Sequence, residues 1–258
     1  MDLRNAKAVA IAAAAQAGGH LARKLGQVRH IRKKGAIDLV TEADTESEGI
    51  ILGLIRDAFP DHTIISEEEG RVEGRADRCW IIDPLDGTTN FAHGLGLFSI
   101  SIAFNLDGET HLGVVSLPAA GELFVATRGA GATLNGRPIG VSDTPDLSDS
   151  LLVTGFPYNF PSIWDAVMQR FGRCLSASQG VRRLGSAAID LCYVACGRFE
   201  AFWEQNLQPW DTAAGALIAA EAGARVTDFG GRPFTPESNE ILATNGRIHA
   251  RMVDLMQL

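Results

Sequence analysis

Apolar and polar positions change their period several times along this chain, and each change marks an element. Residues 3–25 carry an alanine-rich apolar pattern at helical spacing, predicting a first helix interrupted near Gly18 and Gly19. Val28 to Ile31 reads as a short strand. Thr41 precedes Asp44 by three positions, an acidic variant of the capping box, and the helix it opens runs to about Phe59 before Pro60-Asp61. Residues 63–66 and Cys79 to Ile82 are short apolar runs of the kind that form buried strands. Phe98 to Leu106 alternates as a strand and Asp107-Gly108 is a hairpin signal. Thr110 to Leu117 and Gly121 to Thr127 follow, so three antiparallel strands are expected in succession. Residues 137–150, rich in Pro, Asp and Ser, link two halves. The second half alternates: strand at Leu151 to Thr154, helix at Ile163 to Leu175, strand at Gly180 to Leu184. A helix of small residues at Ser186 to Cys196, a strand at Arg198 to Glu204 and a helix from Trp210-Asp211 to about Ala222 complete it.

The chemistry concentrates where the strand ending at Ile82 meets Asp83-Pro84-Leu85-Asp86-Gly87-Thr88-Thr89-Asn90. Proline fixes its own φ and pushes Asp83 towards an extended conformation, so a rigid corner should hold both carboxylates close together. Two such anions repel and are costly to desolvate, and a divalent cation would remove both costs. The Gly87-Thr88-Thr89 segment offers N–H groups and hydroxyls, suited to phosphate at a helix start. Glu67-Glu68-Glu69 repeats the layout, with carboxylates directly after an apolar strand; taken alone, such a run is a solvated turn. Asp211 at a helix start, taken alone, is a cap. Gly129-Ala130-Gly131 lacks the third glycine of a dinucleotide loop, and Asn135-Gly136 makes a turn there.

Composition narrows the classes. The chain has 258 residues, 46% hydrophobic, enough for a substantial core. A net charge of −8 argues against a broad nucleic-acid face, and an anionic substrate would have to be attracted locally, as bound cations would do. The four cysteines, at 79, 174, 192 and 196, form no C-x-x-C; Cys192 and Cys196 read as buried free thiols, which fits a reducing cytoplasm. No apolar run approaches the roughly 20 residues of a membrane helix. Val9 to Ala15 after Arg4 and Lys7 has the outline of a leader, but the pattern continues through Leu21 and Leu25, as in a first helix. Arg29 to Lys34 is a basic run, either a solvated loop or a rim near the site.

The run from Trp80 to Phe91 resembles the inositol monophosphatase family, whose central motif W-x-x-D-P-[IL]-D-G-T-x-N-F it matches without a break. Asp38 to Asp44 is similar to the family's D-x-V-T-x-x-D, and Trp210 to Gly215 to its W-D-x-A-[AG]-G. Glu67-Glu68 stands where the family has G-E-E, with Ser66 in place of the glycine; the register favours Glu67, with Glu68 as the alternative. The resemblance spans Asp38 to Gly223. It implies an α/β (α+β) fold layered α-β-α-β-α, of the inositol monophosphatase and fructose-1,6-bisphosphatase type. One domain would cover residues 1–258, in halves of about 1–140 and 141–258, usually as a homodimer.

The resemblance also implies two or three Mg2+ ions. Glu67, Asp83 and the Leu85 carbonyl would hold one; Asp83, Asp86 and Asp211 a second; a weaker third would lie near Glu67. Glu67, Thr88 and Asp44 would serve catalysis, with Thr88 and Asp44 orienting an attacking water. The amides of Gly87 and Thr88 would hold phosphate oxygens, and Asp86, Ala187, Glu204 and Asp211 would complete the substrate site. The expected reaction is lithium-sensitive hydrolysis of a small phosphate monoester, inositol 1-phosphate first. Histidinol phosphate, a sugar (bis)phosphate and a nucleotide 3′-phosphate stay open as substrates. Asn90 to Gly94 and Gly185 to Ala188 resemble the inositol branch, and Gly96, where relatives often carry proline, departs from it. Arg182 and Arg183 could reach a substrate, a dimer partner or only solvent. A competing enzyme class, the haloacid dehalogenase type, has a D-x-D-G-T motif one residue shorter than this D-x-x-D-G-T and uses its first aspartate as a nucleophile. A non-enzymatic reading is a phosphatase-like partner of transcription machinery. No membrane and no direct nucleic-acid partner is expected.

Overall fold

The computed structural model describes residues 3–27, 31–33, 39–157 and 159–258. The basic run Arg29 to Lys34 and the strand expected from Val28 lie outside them except at Ile31 to Lys33, and Asp38 lies outside altogether.

The first helix, α1 (Leu3–Lys24), runs unbroken through Gly18 and Gly19, against the expected interruption. A Cβ at Gly18 would stand 3.1 Å from Pro118 Cγ, so the glycine lets the helix lie close to the turn there. A two-stranded ribbon, β1 (Ile31–Lys33) and β2 (Leu39–Thr41), leads into α2 (Glu42–Ala58). Thr41 caps α2 with the expected box: its side chain accepts from Ala43 N, and Asp44 reaches back to Thr41 N.

An eight-stranded sheet follows. Its strands are β3 (His62–Ser66), β4 (Gly70–Val72), β5 (Arg75–Asp86), β6 (Ser99–Leu106), β7 (Glu109–Leu117), β8 (Glu122–Thr127), β9 (Ala132–Leu134) and β10 (Arg137–Pro138). The spatial order is β10-β9-β8-β7-β6-β5-β3-β4, with the short α3 (Thr88–Ala92) between β5 and β6. Among the described residues of this sheet, only β3 and β5 pair in parallel. The hairpin at Asp107-Gly108 has φ of 51° and 83°, as a tight two-residue turn requires, and β6, β7 and β8 are antiparallel as expected.

The second half builds β11 (Leu151–Thr154), α4 (Trp164–Ala177), β12 (Gly180–Arg182), α5 (Ala187–Ala195), β13 (Ala201–Gln205), α6 (Pro209–Glu221), β14 (Arg225–Thr227), β15 (Glu240–Thr244) and α7 (His249–Met256). Its five-stranded sheet has the order β12-β11-β13-β15-β14. β12 stops at Arg182, two residues earlier than expected, and β13 starts at Ala201, three residues later than expected.

Period-two alternation decides which layer each strand residue faces. Trp80, Ile82, Ile100, Ile102 and Phe104 pack with Ala10 and Ala14 of α1 and Ile51 and Ile55 of α2. Their neighbours Ile81 and Ala103 point the other way, into a cluster with Leu191 of α5 and Ala214 of α6. Val153, Phe202 and Ala243 of the second sheet enter that cluster from the far side, so α5 and α6 fill the space between two sheets. Leu152, Trp203 and Leu242 face outwards onto Cys174 of α4 and Met252 of α7. The layers are therefore α1/α2, eight strands, α5/α6, five strands, α4/α7. All four cysteines are free thiols, Cys192 buried and Cys196 half-buried. Among the described residues no helix is long and apolar enough to cross a membrane.

Candidate active site

Parallel pairing fixes the first two carboxylates. Ser66 lies opposite Ile82, so the residues that follow, Glu67 just past the end of β3 and Asp83 within β5, come side by side at the same edge. Glu67 N donates to Ile82 O at 3.2 Å, which ties the glutamate turn to β5. Ligand sites form outside the carboxyl ends of such strands.

The corner expected at Asp83 is a bulge instead of a strand end. β5 continues to Asp86, and its register against β6 shifts between Asp83 (opposite Ser101) and Asp86 (opposite Ser99). Pro84 and Leu85 together stand against the single Ile100. Proline has no N–H to give a ladder, which suits it to a bulge. Asp83 Oδ1 accepts from Leu85 N at 2.9 Å, closing the corner on itself. Gly87 follows with φ 94°, and a Cβ there would meet Leu97 O at 2.9 Å, so only glycine turns the chain from β5 into α3.

Thr88, buried at the start of α3, places its hydroxyl 2.9 Å from Asp44 Oδ1 and 3.0 Å from Leu85 O. Its single hydrogen serves one acceptor at a time. Asp44 itself is fully buried and reaches the site only through Thr88; its other oxygen accepts from Thr41 N and Thr41 Oγ1. Burial raises its proton affinity, and the Thr41 and Thr88 bonds oppose that.

The second half supplies the opposite wall. Asp86 Oδ2 accepts from Ser186 Oγ at 2.5 Å, Ala188 N at 2.9 Å and Ser99 Oγ at 3.4 Å. Ser186 is the N-cap of α5, so that helix is anchored on a carboxylate of the first half. Asn90 Nδ2 adds bonds to Leu97 O and Leu184 O, just before Gly185. Asp211 is the third residue of α6, not its cap: Oδ2 accepts from Gln208 N at 2.7 Å. Ser101 Oγ donates to Trp210 O beside it. Glu204, the last residue but one of β13, is buried with Gly155 against its carboxylate; a Cβ on Gly155 would fall 2.0 Å from Oε2.

These groups surround one cavity of about 460 Å³. Glu67, Asp83, Leu85, Asp86, Gly87, Thr88, Ala187, Glu204 and Asp211 all line it; Glu68 does not. Arg183 lines it as well, its guanidinium 6.0 Å from the Phe156 ring, whereas Arg182 does not. The lining holds five carboxylates and one basic side chain. Asp83 is pushed well above the usual carboxylate range, first by burial, then by Glu67, Asp86 and Asp211. Burial lifts Asp86 to about 6, held back by Ser186 and Ala188. Glu204 is raised by burial and by Asp211, against the pull of Arg183. Asp190 of α5 is buried with neither carboxyl oxygen hydrogen-bonded.

Such a set fits a divalent cation: it is acidic, all-oxygen and already self-repelling. Among the described residues no three His, Cys, Asp or Glu side chains are grouped so as to hold a metal ion by themselves. Hard cations complete their shell with carbonyls, water and phosphate. Sequence reasoning missed Ser99 and Gly155, because nothing local marks a serine or glycine whose partner lies in another segment; Ser186 was noted at a helix start and in a motif, but not as a partner of Asp86.

The family model described as the inositol monophosphatase family matches residues 2–257. The chain is 46% identical over 254 residues to the inositol-1-monophosphatase of Synechocystis sp., covering 97% of this chain and 88% of that one. It is 44% identical over 242 residues to the Nus factor SuhB of Vibrio cholerae, covering 93% and 91% respectively. The solved structure of inositol monophosphatase from Anabaena (Nostoc) sp. superposes with a TM-score of 0.89 at 41% identity, covering 99% of this chain and 96% of that one.

Proposed function

Since this chain belongs to the inositol monophosphatase family of metal-dependent phosphatases, we propose that it hydrolyses inositol 1-phosphate to inositol and phosphate. The observation that carries the reading is the convergence of Glu67, Asp83, Asp86 and Asp211, from three separated segments, on one cavity beside Gly87 and Thr88. The cation proposed is Mg2+, in two or three copies. Glu67, Asp83 and the Leu85 carbonyl would hold one ion, Asp83, Asp86 and Asp211 a second, and Glu67 a weaker third. A bound divalent cation supplies Lewis acidity, making water more acidic and offsetting charge on phosphoryl oxygens.

The chain's own residues do the rest. Thr88 Oγ1 accepts a proton from the attacking water and passes its own to Asp44 Oδ1, 2.9 Å away. Asp44 lies out of solvent, so the proton is held inside the protein. The amides of Gly87 and Thr88 orient phosphate oxygens. Glu204 accepts hydrogen bonds from substrate hydroxyls, with Ala187 and Asp211 beside it. A polyol phosphate suits this end of the cavity, and histidinol phosphate, sugar phosphates and nucleotide 3′-phosphates are the competitors. The proposal includes inhibition by lithium, a homodimer and a cytoplasmic setting, the last supported by four free cysteines.

Phosphate release from the four ester types, with and without Mg2+, tests the reading. The expected outcome is Mg2+-dependent release with the highest kcat/KM for inositol 1-phosphate. Asp83→Asn is expected to remove turnover while leaving the circular dichroism spectrum unchanged. Release that ignores Mg2+, or a phosphorylated Asp83 trapped during turnover, would overturn it; the second result would favour an aspartyl-phosphate mechanism.

A second role is favoured by the name Nus factor carried by the Vibrio cholerae relative. We propose that this chain also binds a component of transcription machinery, without prejudice to turnover. Co-purification with RNA polymerase by Asp83→Asn protein, as by wild type, is the expected result; no association by either removes this role.

A further inference from the structure

Helix α2 meets the site through one face. Asp44, Ser47 and Glu48 stand at i, i+3 and i+4, so they share a side of the helix, and all three are buried. Each holds a different stretch of the site. Asp44 takes Thr88, as described. Ser47 Oγ donates to Pro84 O, between Asp83 and Asp86, at 2.7 Å. Glu48 Oε1 accepts three bonds, from Ser66 Oγ at 2.5 Å, Glu69 N at 3.0 Å and Glu68 N at 3.2 Å.

The turn carrying Glu67 is thus closed around a single carboxyl oxygen, from the residue before Glu67 to two residues after it. The turn joins β3 to β4, the edge strand, and the bond from Glu67 N to Ile82 O ties it to β5. Glu67 must nevertheless stay near Asp83 although the two carboxylates repel. A buried acceptor on a rigid helix resists that repulsion. Without it, two amide N–H groups and a buried hydroxyl would lose their partner, at about 1–3 kcal/mol for each buried group left unpaired.

We infer that Glu48 is a positioning residue of the cation site: it holds the Glu67 turn at the spacing from Asp83 that a shared divalent ion requires, while Ser47 steadies the Pro84 corner. The inference rests on the metal-assisted reading above. It predicts more than a structural cap would, because groups that orient ligands change metal affinity in the folded protein, typically by 10–100-fold.

The test titrates Mn2+ into the full-length protein and reads free Mn2+ by electron paramagnetic resonance, independently of turnover. Glu48→Ala is expected to weaken Mn2+ binding about 10-fold or more. Glu48→Gln keeps a carbonyl oxygen as acceptor and is expected to recover most of that affinity. In turnover assays the Mg2+ concentration for half-maximal rate rises, while KM for the ester at saturating Mg2+ stays near wild type. Glu48→Ala protein that is folded by circular dichroism and binds Mn2+ as wild type does would overturn the inference. If Glu48→Ala does not fold, Ser66→Ala, which removes only one of the three donors, replaces it: weakened Mn2+ binding supports the inference and unchanged binding overturns it. Wild-type protein that binds no Mn2+ brings down the metal-assisted reading itself. That result is distinct from wild-type binding which Glu48→Ala leaves intact.

Discussion

Single residues in this site do two jobs at once. Asp44 is both the helix cap that its spacing from Thr41 predicts and the partner of Thr88, one oxygen for each, so the two readings of its sequence position do not compete. Gly155 has no sequence signal at all. Its importance comes from Glu204, whose carboxylate occupies the space a side chain on residue 155 would need. Alanine there would place a Cβ 2.3 Å from Glu204 Cδ and force the carboxylate aside. Displacement of a substrate-orienting group by about 1 Å can cost as much as 100-fold, so Gly155→Ala is expected to lower kcat/KM for inositol 1-phosphate by about 10–100-fold. A variant with wild-type kcat/KM would show that Glu204 does not orient substrate.

At the scale of elements, close approach between sheet and helix positions Asp211. Helix α6 lies on β7 where Gly113 meets Ala214, and a Cβ on Gly113 would stand 2.7 Å from Ala214 O. Gly215 makes room for Leu191 of α5 in the same way, 2.8 Å from its Cδ1. The small-residue composition of α5 was legible in the sequence; the strand glycine against α6 was not. Gly113→Ala overpacks this contact and is expected to destabilise the protein by about 1–3 kcal/mol, read from the urea midpoint. A midpoint equal to wild type would mean that α6 can shift away at little cost. The β5 bulge shows the same limit of local reading. Pro84 marks a break, but whether the strand stops or bulges depends on β6 continuing beside it.

Across the whole molecule, both sheets deliver the site from the carboxyl ends of parallel strands. β3 and β5 lead to Glu67 and Asp83; β11, β12 and β13 lead to Gly155, Arg183 and the terminal Glu204-Gln205 pair. The cost of this convergence is electrostatic. Asp86 ionises in the fold near 6 against an ordinary value of 3.8, so in metal-free protein it favours the fold below 3.8, and that contribution is lost as pH rises through 6. His249, between Thr227 and Thr244, has the opposite sign: burial holds it near 4, so its contribution is present above 6.5 and lost as pH falls towards 4. In the proposed site, a bound Mg2+ ion would require Asp86 ionised. The Mg2+-induced rise in Tm, compared within each pH, is therefore expected to be larger at about pH 7.5 than at about pH 5.5. An equal rise at both would remove Asp86 from the proposed ligand set.

The amino-acid order by itself determined the local pieces: the capped second helix, the antiparallel run from β6 to β8, and three acidic motifs whose spacing resembles one family. Those features depend on near neighbours, through dihedral preference, alternation and turn chemistry, and near neighbours are what a sequence displays. Which strand pairs in parallel, that Glu67 instead of Glu68 faces the cavity, that Glu48 closes the Glu67 turn and that Gly155 seats Glu204 were decided only by the tertiary structure. Each is a contact between segments far apart along the chain, set by register and layer packing, and no local pattern encodes the distance between two such segments.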